Sequence, residues 1–149
     1  MTPLNKEQAE SIIRRIAFIE EELKDLGEYS DLDFKRYSTQ KKVRREVERI
    51  IENVLNASID IAKILLAGED VEVPATYREA FEKLGEKGLL AEEVAGQIAD
   101  LVRLRNVLAH QYLDLKWETI HKFIEKGPQA IREFGRSINE RIPAEPPWE

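Results

Sequence analysis

Apolar residues recur at steps of three and four along most of this chain, the period of helices that bury one face. Ile12, Ile16, Ile19, Leu23 and Leu26 predict a first helix over about Lys6 to Leu26. Asn5 and Gln8 have the spacing of a capping box, and Gly27 supplies the stop. Gly27 to Tyr37 reads as a loop or a frayed helical turn. The longest helix is expected from about Ser38, or a little earlier, to Ala67. Its buried stripe is Val43, Val47, Ile50, Val54, Ile61 and Leu65, widened by Ile51, Leu55 and Leu66. A short helix follows over Thr76 to Glu86, then one over about Ala91 to Tyr112. Asp114 has the character of an N-cap for a last helix from about Leu115 to Arg141, which Pro128 should kink or break after Gly127. There is no alternating strand pattern, internal repeat or glycine-rich phosphate loop. The pattern predicts an all-α antiparallel bundle of about five helices over residues 1–142, with a kinked last helix and a flexible proline-rich tail at 143–149.

One stretch breaks the pattern. In Leu101 to Tyr112, LVRLRNVLAHQY, an aliphatic helical face carries a guanidinium, an amide, an imidazole and a phenol within two turns. Such groups are costly to bury without partners, so their concentration marks a candidate site. On one continuous helix Asn106 and His110 form an i, i+4 pair. Arg105 falls on the stripe Val94, Ile98, Leu101, Arg105, Leu108, Tyr112, where an aliphatic residue is expected. Arg105 and His110 then stand about 140° apart on the helical wheel. One helix cannot easily aim both at one atom, whereas two antiparallel copies related by a two-fold axis pool them in one cleft.

The chain has 149 residues, no cysteine and a net charge of -6. That length suits one domain, and no disulfide or thiolate metal site holds it together. No apolar run has the length of a signal peptide or of a membrane span, so the expectation is a soluble, cytoplasmic protein without a membrane partner. The acidic balance argues against wholesale wrapping of nucleic acid, but the charge is segregated. Seven acids and one lysine lie between Phe18 and Asp33, and seven bases and two acids between Lys35 and Arg49. Lys41, Lys42, Arg44 and Arg45 in this second run are candidate RNA contacts, although a solvated face is the more ordinary reading. Beside the apolar stripe of the long helix, Glu46, Asn53 and Asp60 recur every seven residues. The ordinary reading is again a solvated edge; the sharper one is that Asp60 or Glu48 orients Arg105 or His110.

The four polar residues suit acid–base chemistry at a phosphodiester. An imidazole, with an ordinary pKa of about 6.5, accepts and donates protons near neutrality, which gives His110 the general acid–base role. A guanidinium stays charged and offers a fork of donors to phosphoryl oxygens, which gives Arg105 the phosphate. Asn106 offers an amide to a phosphate oxygen or to the imidazole tautomer. Tyr112 suits base stacking or donation to phosphate. Ordinary structural roles compete at each position: an ion pair with Asp60 for Arg105, an interface aromatic for Tyr112, and a helix cap for His110. Arg103 reads as an i, i+3 partner of Asp100, and His121, with no second histidine in register, as structural. No metal and no cofactor is expected.

Arg105 to Tyr112, RNVLAHQY, resembles the R-x4-H-x-Y signature of HepT-like toxins in the HEPN superfamily. Arg45 to Ala62, Thr76 to Leu84 and Trp117 to Ile124 are similar to family segments in the same order, so that the resemblance covers about 37–138. It implies a metal-independent endoribonuclease with Arg105, Asn106 and His110 in a composite site at a homodimer interface. It also implies an antitoxin partner, a minimal nucleotidyltransferase of the MntA type, that adds AMP to the tyrosine matched by Tyr112. The competing functional readings are a non-catalytic HEPN module that binds a nucleotidyltransferase or a nucleotide, and a plain structural bundle.

Overall fold

The computed structural model describes residues 4–69, 71–109 and 112–142. Its helices are α1 (Lys6–Gly27), α2 (Phe34–Thr39), α3 (Lys41–Ala67), α4 (Tyr77–Glu86), α5 (Glu92–Val102), α6 (Leu104–Val107) and α7 (Leu113–Asn139). The all-α bundle expected from the apolar spacing is what forms. The expected capping box opens α1: Asn5 Oδ1 accepts from the Gln8 amide at 2.8 Å, and the Asn5 amide donates to Gln8 Oε1 at 3.0 Å. The α1 and α3 axes run antiparallel, because Arg15 meets Asp60 near one end and Tyr29 meets Glu46 near the other. Glu46 and Asp60 thus lie on a solvated edge of α3 and from there also stitch the α1–α3 seam. The expected α3 stripe is buried, from Val47 through Leu65. Ser58, fully buried among it, donates its hydroxyl to the Val54 carbonyl at 2.9 Å and so needs no further partner.

Four boundaries differ from expectation. The long helix is entered through a separate short one, α2, which Asp33 caps at the Arg36 amide at 2.8 Å. Gln40 is extended (φ -101°, ψ 94°) and separates α2 from α3. Ser38 and Thr39 turn their hydroxyls back onto the Lys35 carbonyl. Arg44 Nη1 donates to the Tyr37 and Ser38 carbonyls at 3.1 and 3.0 Å, so the break leaves its carbonyls satisfied.

The expected helix over Ala91 to Tyr112 is interrupted at Arg103 and ends at Val107. Backbone angles stay near helical, but the Asn106 amide bonds the Arg103 carbonyl at 3.1 Å and the Ala109 amide bonds the Asn106 carbonyl at 3.3 Å. These i, i+3 bonds tighten the backbone as a helix end does. Tyr112, not Asp114, is the N-cap of α7, without a side-chain cap bond. Asp114 lies in the first turn, where its charge complements the exposed amides.

Finally, α7 continues unbroken through Pro128 to Asn139. The residue before a proline resists helix because its Cβ meets the ring, and here that residue is Gly127. An added Cβ there would lie 2.8 Å from the buried Phe123 ring, so the glycine also admits Phe123 against the helix.

α4 and α5 form a hairpin around Gly88, whose φ of 71° requires glycine. Phe81 of α4 and Phe134 of α7 pack edge to face at 5.7 Å and join the hairpin to the rest. At the opposite end, Trp117 in the opening turns of α7 stacks on His121 at 5.0 Å and leans on Tyr37 at 5.3 Å. Among the described residues, no helix is long and apolar enough to cross a membrane.

Candidate active site

Arg105 lies in α6, beside the middle of α3 and the start of α4. Its Nε donates to Asn56 Oδ1 at 2.7 Å, and its guanidinium carbon sits 5.4 Å from the centre of the Tyr77 ring. Lys63 Nζ lies on the same ring, also at 5.4 Å. The guanidinium is half-buried. Asn56 uses the donor on its shank and leaves the terminal fork for another acceptor, and the ring fixes the plane in which the fork points. α3 places Asn56 there because it is half-buried next to Leu55 and Ala57, which are buried. The Thr76 cap at the Glu79 amide, 3.1 Å, fixes the turn that presents Tyr77.

The expected orienting acids are engaged elsewhere. Asp60 faces Arg15 at 3.6 Å, and Glu48 pairs with Lys116 at 3.0 Å, so neither holds Arg105. A neutral amide and an aromatic ring do that work, and the guanidinium keeps its full positive field. Glu48 also acts on Tyr37, whose buried phenol is pushed well above the ordinary tyrosine value, chiefly by burial. Asn106 is exposed, and its side chain has no hydrogen-bond partner among the described residues. Tyr112 is 70% exposed. His110 lies outside the described residues. Because the helix stops at Val107, the helical-wheel angle between Arg105 and His110 no longer applies.

Of the basic run, Lys41, Lys42 and Arg45 are exposed, whereas Arg44 is tied to the end of α2. Lys41 stands fifteen residues before Asn56 on α3, about 22 Å at the helical rise, so this cluster is not gathered around Arg105. Asp100 pairs with Arg78 at 3.1 Å and not with Arg103. His121 pairs with Glu125 at 2.8 Å and stacks on Trp117, the structural role expected of it. Sequence reasoning missed Asn56, Lys63 and Tyr77. Asn56 carried little signal, being one of several polar residues, with Asn53, Ser58 and Asp60, in the same helical run.

Comparison with known proteins places the chain in a family. The HepT-like ribonuclease family model matches residues 19–138. The tRNA nuclease HepT of Aphanizomenon flos-aquae is 29% identical over 125 residues, which span 84% of this chain and 85% of that protein. The mRNA nuclease HepT of Shewanella oneidensis is 25% identical over 126 residues, 83% and 92% of the two chains. The fold matches a tri-AMPylated Shewanella oneidensis HEPN toxin, solved in complex with an MNT antitoxin, with a TM-score of 0.75 at 21% identity; the match covers 87% of this chain and 97% of that one. With 19–138 matched and the motif arginine presented from α6 on Asn56 and Tyr77, the chain belongs to the HepT-like ribonuclease family.

Proposed function

We infer that this HepT-like ribonuclease toxin cuts RNA without a metal, by attack of a ribose 2′-OH on the adjacent phosphorus. The observation that carries this reading is the Arg105 guanidinium, held through Nε by a neutral partner with its terminal donors uncommitted among the described residues. That fork matches two oxygens of a phosphodiester and stabilises the charge added in the pentacoordinate transition state. His110 takes the 2′-OH proton and returns one to the departing 5′-oxygen. The products are a 2′,3′-cyclic phosphate and a 5′-hydroxyl end. Asn106, exposed beside Arg105, offers its amide to the phosphate or to the imidazole.

The active form is a homodimer in the cytoplasm. Leu101, Val107 and Leu108 remain only partly buried around Arg105 and supply apolar surface for a second copy to cover. The partner is a nucleotidyltransferase antitoxin of the MntA type, and its target is Tyr112. That side chain is exposed enough for its hydroxyl to enter another protein's active site. AMP there adds bulk and negative charge next to the segment that must receive RNA, which silences cleavage.

The test is cleavage of mixed cellular RNA by purified protein in excess EDTA, beside folded Arg105→Ala and His110→Ala. Cleavage that survives EDTA, leaves cyclic phosphate ends and disappears in both variants is expected. An unmodified wild type that leaves every RNA intact would replace this reading with that of a partner-binding module.

A further inference from the structure

Arg105 is not isolated on its surface. The Tyr77 ring that supports it also forms one wall of a groove of about 720 Å³, bounded by the end of α3, the 71–76 loop, the start of α4 and the junction of α5 and α6. Asn106 stands on its edge. The volume is within the range of small-ligand sites, about 300–1,000 Å³. Its walls are largely apolar, with Val102 buried in the floor and Val73, 93% exposed, at the mouth.

Its charges are unevenly used. Arg78, on the rim, is neutralised by Glu82 at 2.8 Å and Asp100 at 3.1 Å. Glu72, also on the rim, has no ion-pair partner among the described residues, because Lys83 pairs with Glu86 at 3.0 Å, so one acid faces the cations of the groove. Lys63 and Arg103 have no acidic partner among the described residues, in a chain with an excess of acids. Two cations without an acidic partner, an apolar wall and an unpaired amide form a site for something planar, anionic and hydrogen-bonding. Lys63 and Arg105 share the Tyr77 ring, each 5.4 Å from its centre, so the groove and the motif arginine meet at one side chain.

We propose that this groove holds the nucleotide next to the scissile phosphate and makes cleavage selective for its base. This rests on the ribonuclease reading given above. The base lies against Val73 at the mouth of the groove, the Asn106 amide meets its edge, and Lys63 and Arg103 take the flanking phosphates.

The experiment compares wild type with Lys63→Gln/Arg103→Gln and with Val73→Asp, both altered at surface positions and checked by thermal unfolding. Cleavage ends are mapped on a random-sequence RNA pool, and KM is followed against salt. Wild type should show a base preference at one position beside the cut. The double variant should lose that preference, raise KM about tenfold and lower the salt slope by about 1.4, at about 0.7 for each single-strand phosphate contact released. Val73→Asp should weaken the preference by placing a negative charge at the mouth. A preference and salt slope unchanged in both variants overturn the proposal. So does a double variant that becomes monomeric with its preference intact, since the groove is then a subunit contact. Anisotropy with a 2′-O-methyl oligonucleotide tests the groove separately from cleavage. If wild type cuts nothing, the ribonuclease reading fails, while tenfold weaker binding by the double variant still supports the groove and equal binding overturns it.

Discussion

Asn56 Oδ1 and Arg105 Nε are 2.7 Å apart although 49 residues separate them in the chain. A carboxylate at position 56 would hold the arginine more tightly and cancel the charge that the phosphate needs. A neutral acceptor positions the guanidinium and leaves its field intact.

Asn56→Ala should therefore slow RNA cleavage about tenfold, as expected for loss of a partly exposed hydrogen bond to a charged group. Asn56→Asp should restore the geometry but weaken phosphate binding, and so raise KM more than Asn56→Ala does. Steady-state kinetics of both, with circular dichroism to confirm the fold, check the split. Equal kcat and KM in all three proteins would remove Asn56 from the positioning of Arg105.

At Tyr112, Phe removes the hydroxyl and keeps the ring. Because the side chain is 70% exposed, Tyr112→Phe should fold normally and retain cleavage. It should also resist silencing by a nucleotidyltransferase partner with ATP. Intact mass and residual cleavage after incubation read both effects. A Phe variant that still gains AMP mass would place the modification elsewhere.

Two helical glycines should respond with opposite sign. Gly96 is exposed in α5, with nothing within 4 Å of an added Cβ, so Gly96→Ala should stabilise by about 1 kcal/mol. Gly127→Ala would press on the Phe123 ring and should cost about 1–3 kcal/mol. With about 2–4 °C per kcal/mol for a chain of this size, melting temperatures should separate the two clearly.

Tyr29 supplies a pH test. Its hydrogen bond to Glu46, then burial, push its pKa from 10.0 to about 12. The folded state resists ionisation, so this contribution is complete below about pH 10 and is lost as pH rises through about 12. Wild type should exceed Tyr29→Phe in stability by a constant margin up to about pH 10, and the margin should shrink above it. Urea unfolding at several alkaline pH values measures this. A margin that grows with pH would contradict the Tyr29–Glu46 link.

The helices were readable because apolar spacing reports which face is buried, and the Asn5–Gln8 and Thr76 caps act over three residues. The break at Gln40 was hidden because Arg44 satisfies carbonyls six and seven residues back, a contact that no local propensity reports. Of the two outcomes expected at Pro128, the break does not occur, because Gly127 has no Cβ for the proline ring to meet. At the site, the arginine stood out as a charge on an apolar stripe. Its real supports did not, because Asn56 and Tyr77 come from separate helices and only the tertiary fold sets them beside it. The acids favoured by sequence were already taken by Arg15 and Lys116.

Trp117 offers an optical use of the bundle. Its indole is clamped between His121 and Tyr37 in the helix that Tyr112 begins. The sequence has one other tryptophan, Trp148, and Trp148→Phe would leave a single fixed fluorophore. Its emission would then follow events at Tyr112 in real time, so nucleotide transfer or RNA docking could be timed in a stopped-flow cell without any attached dye.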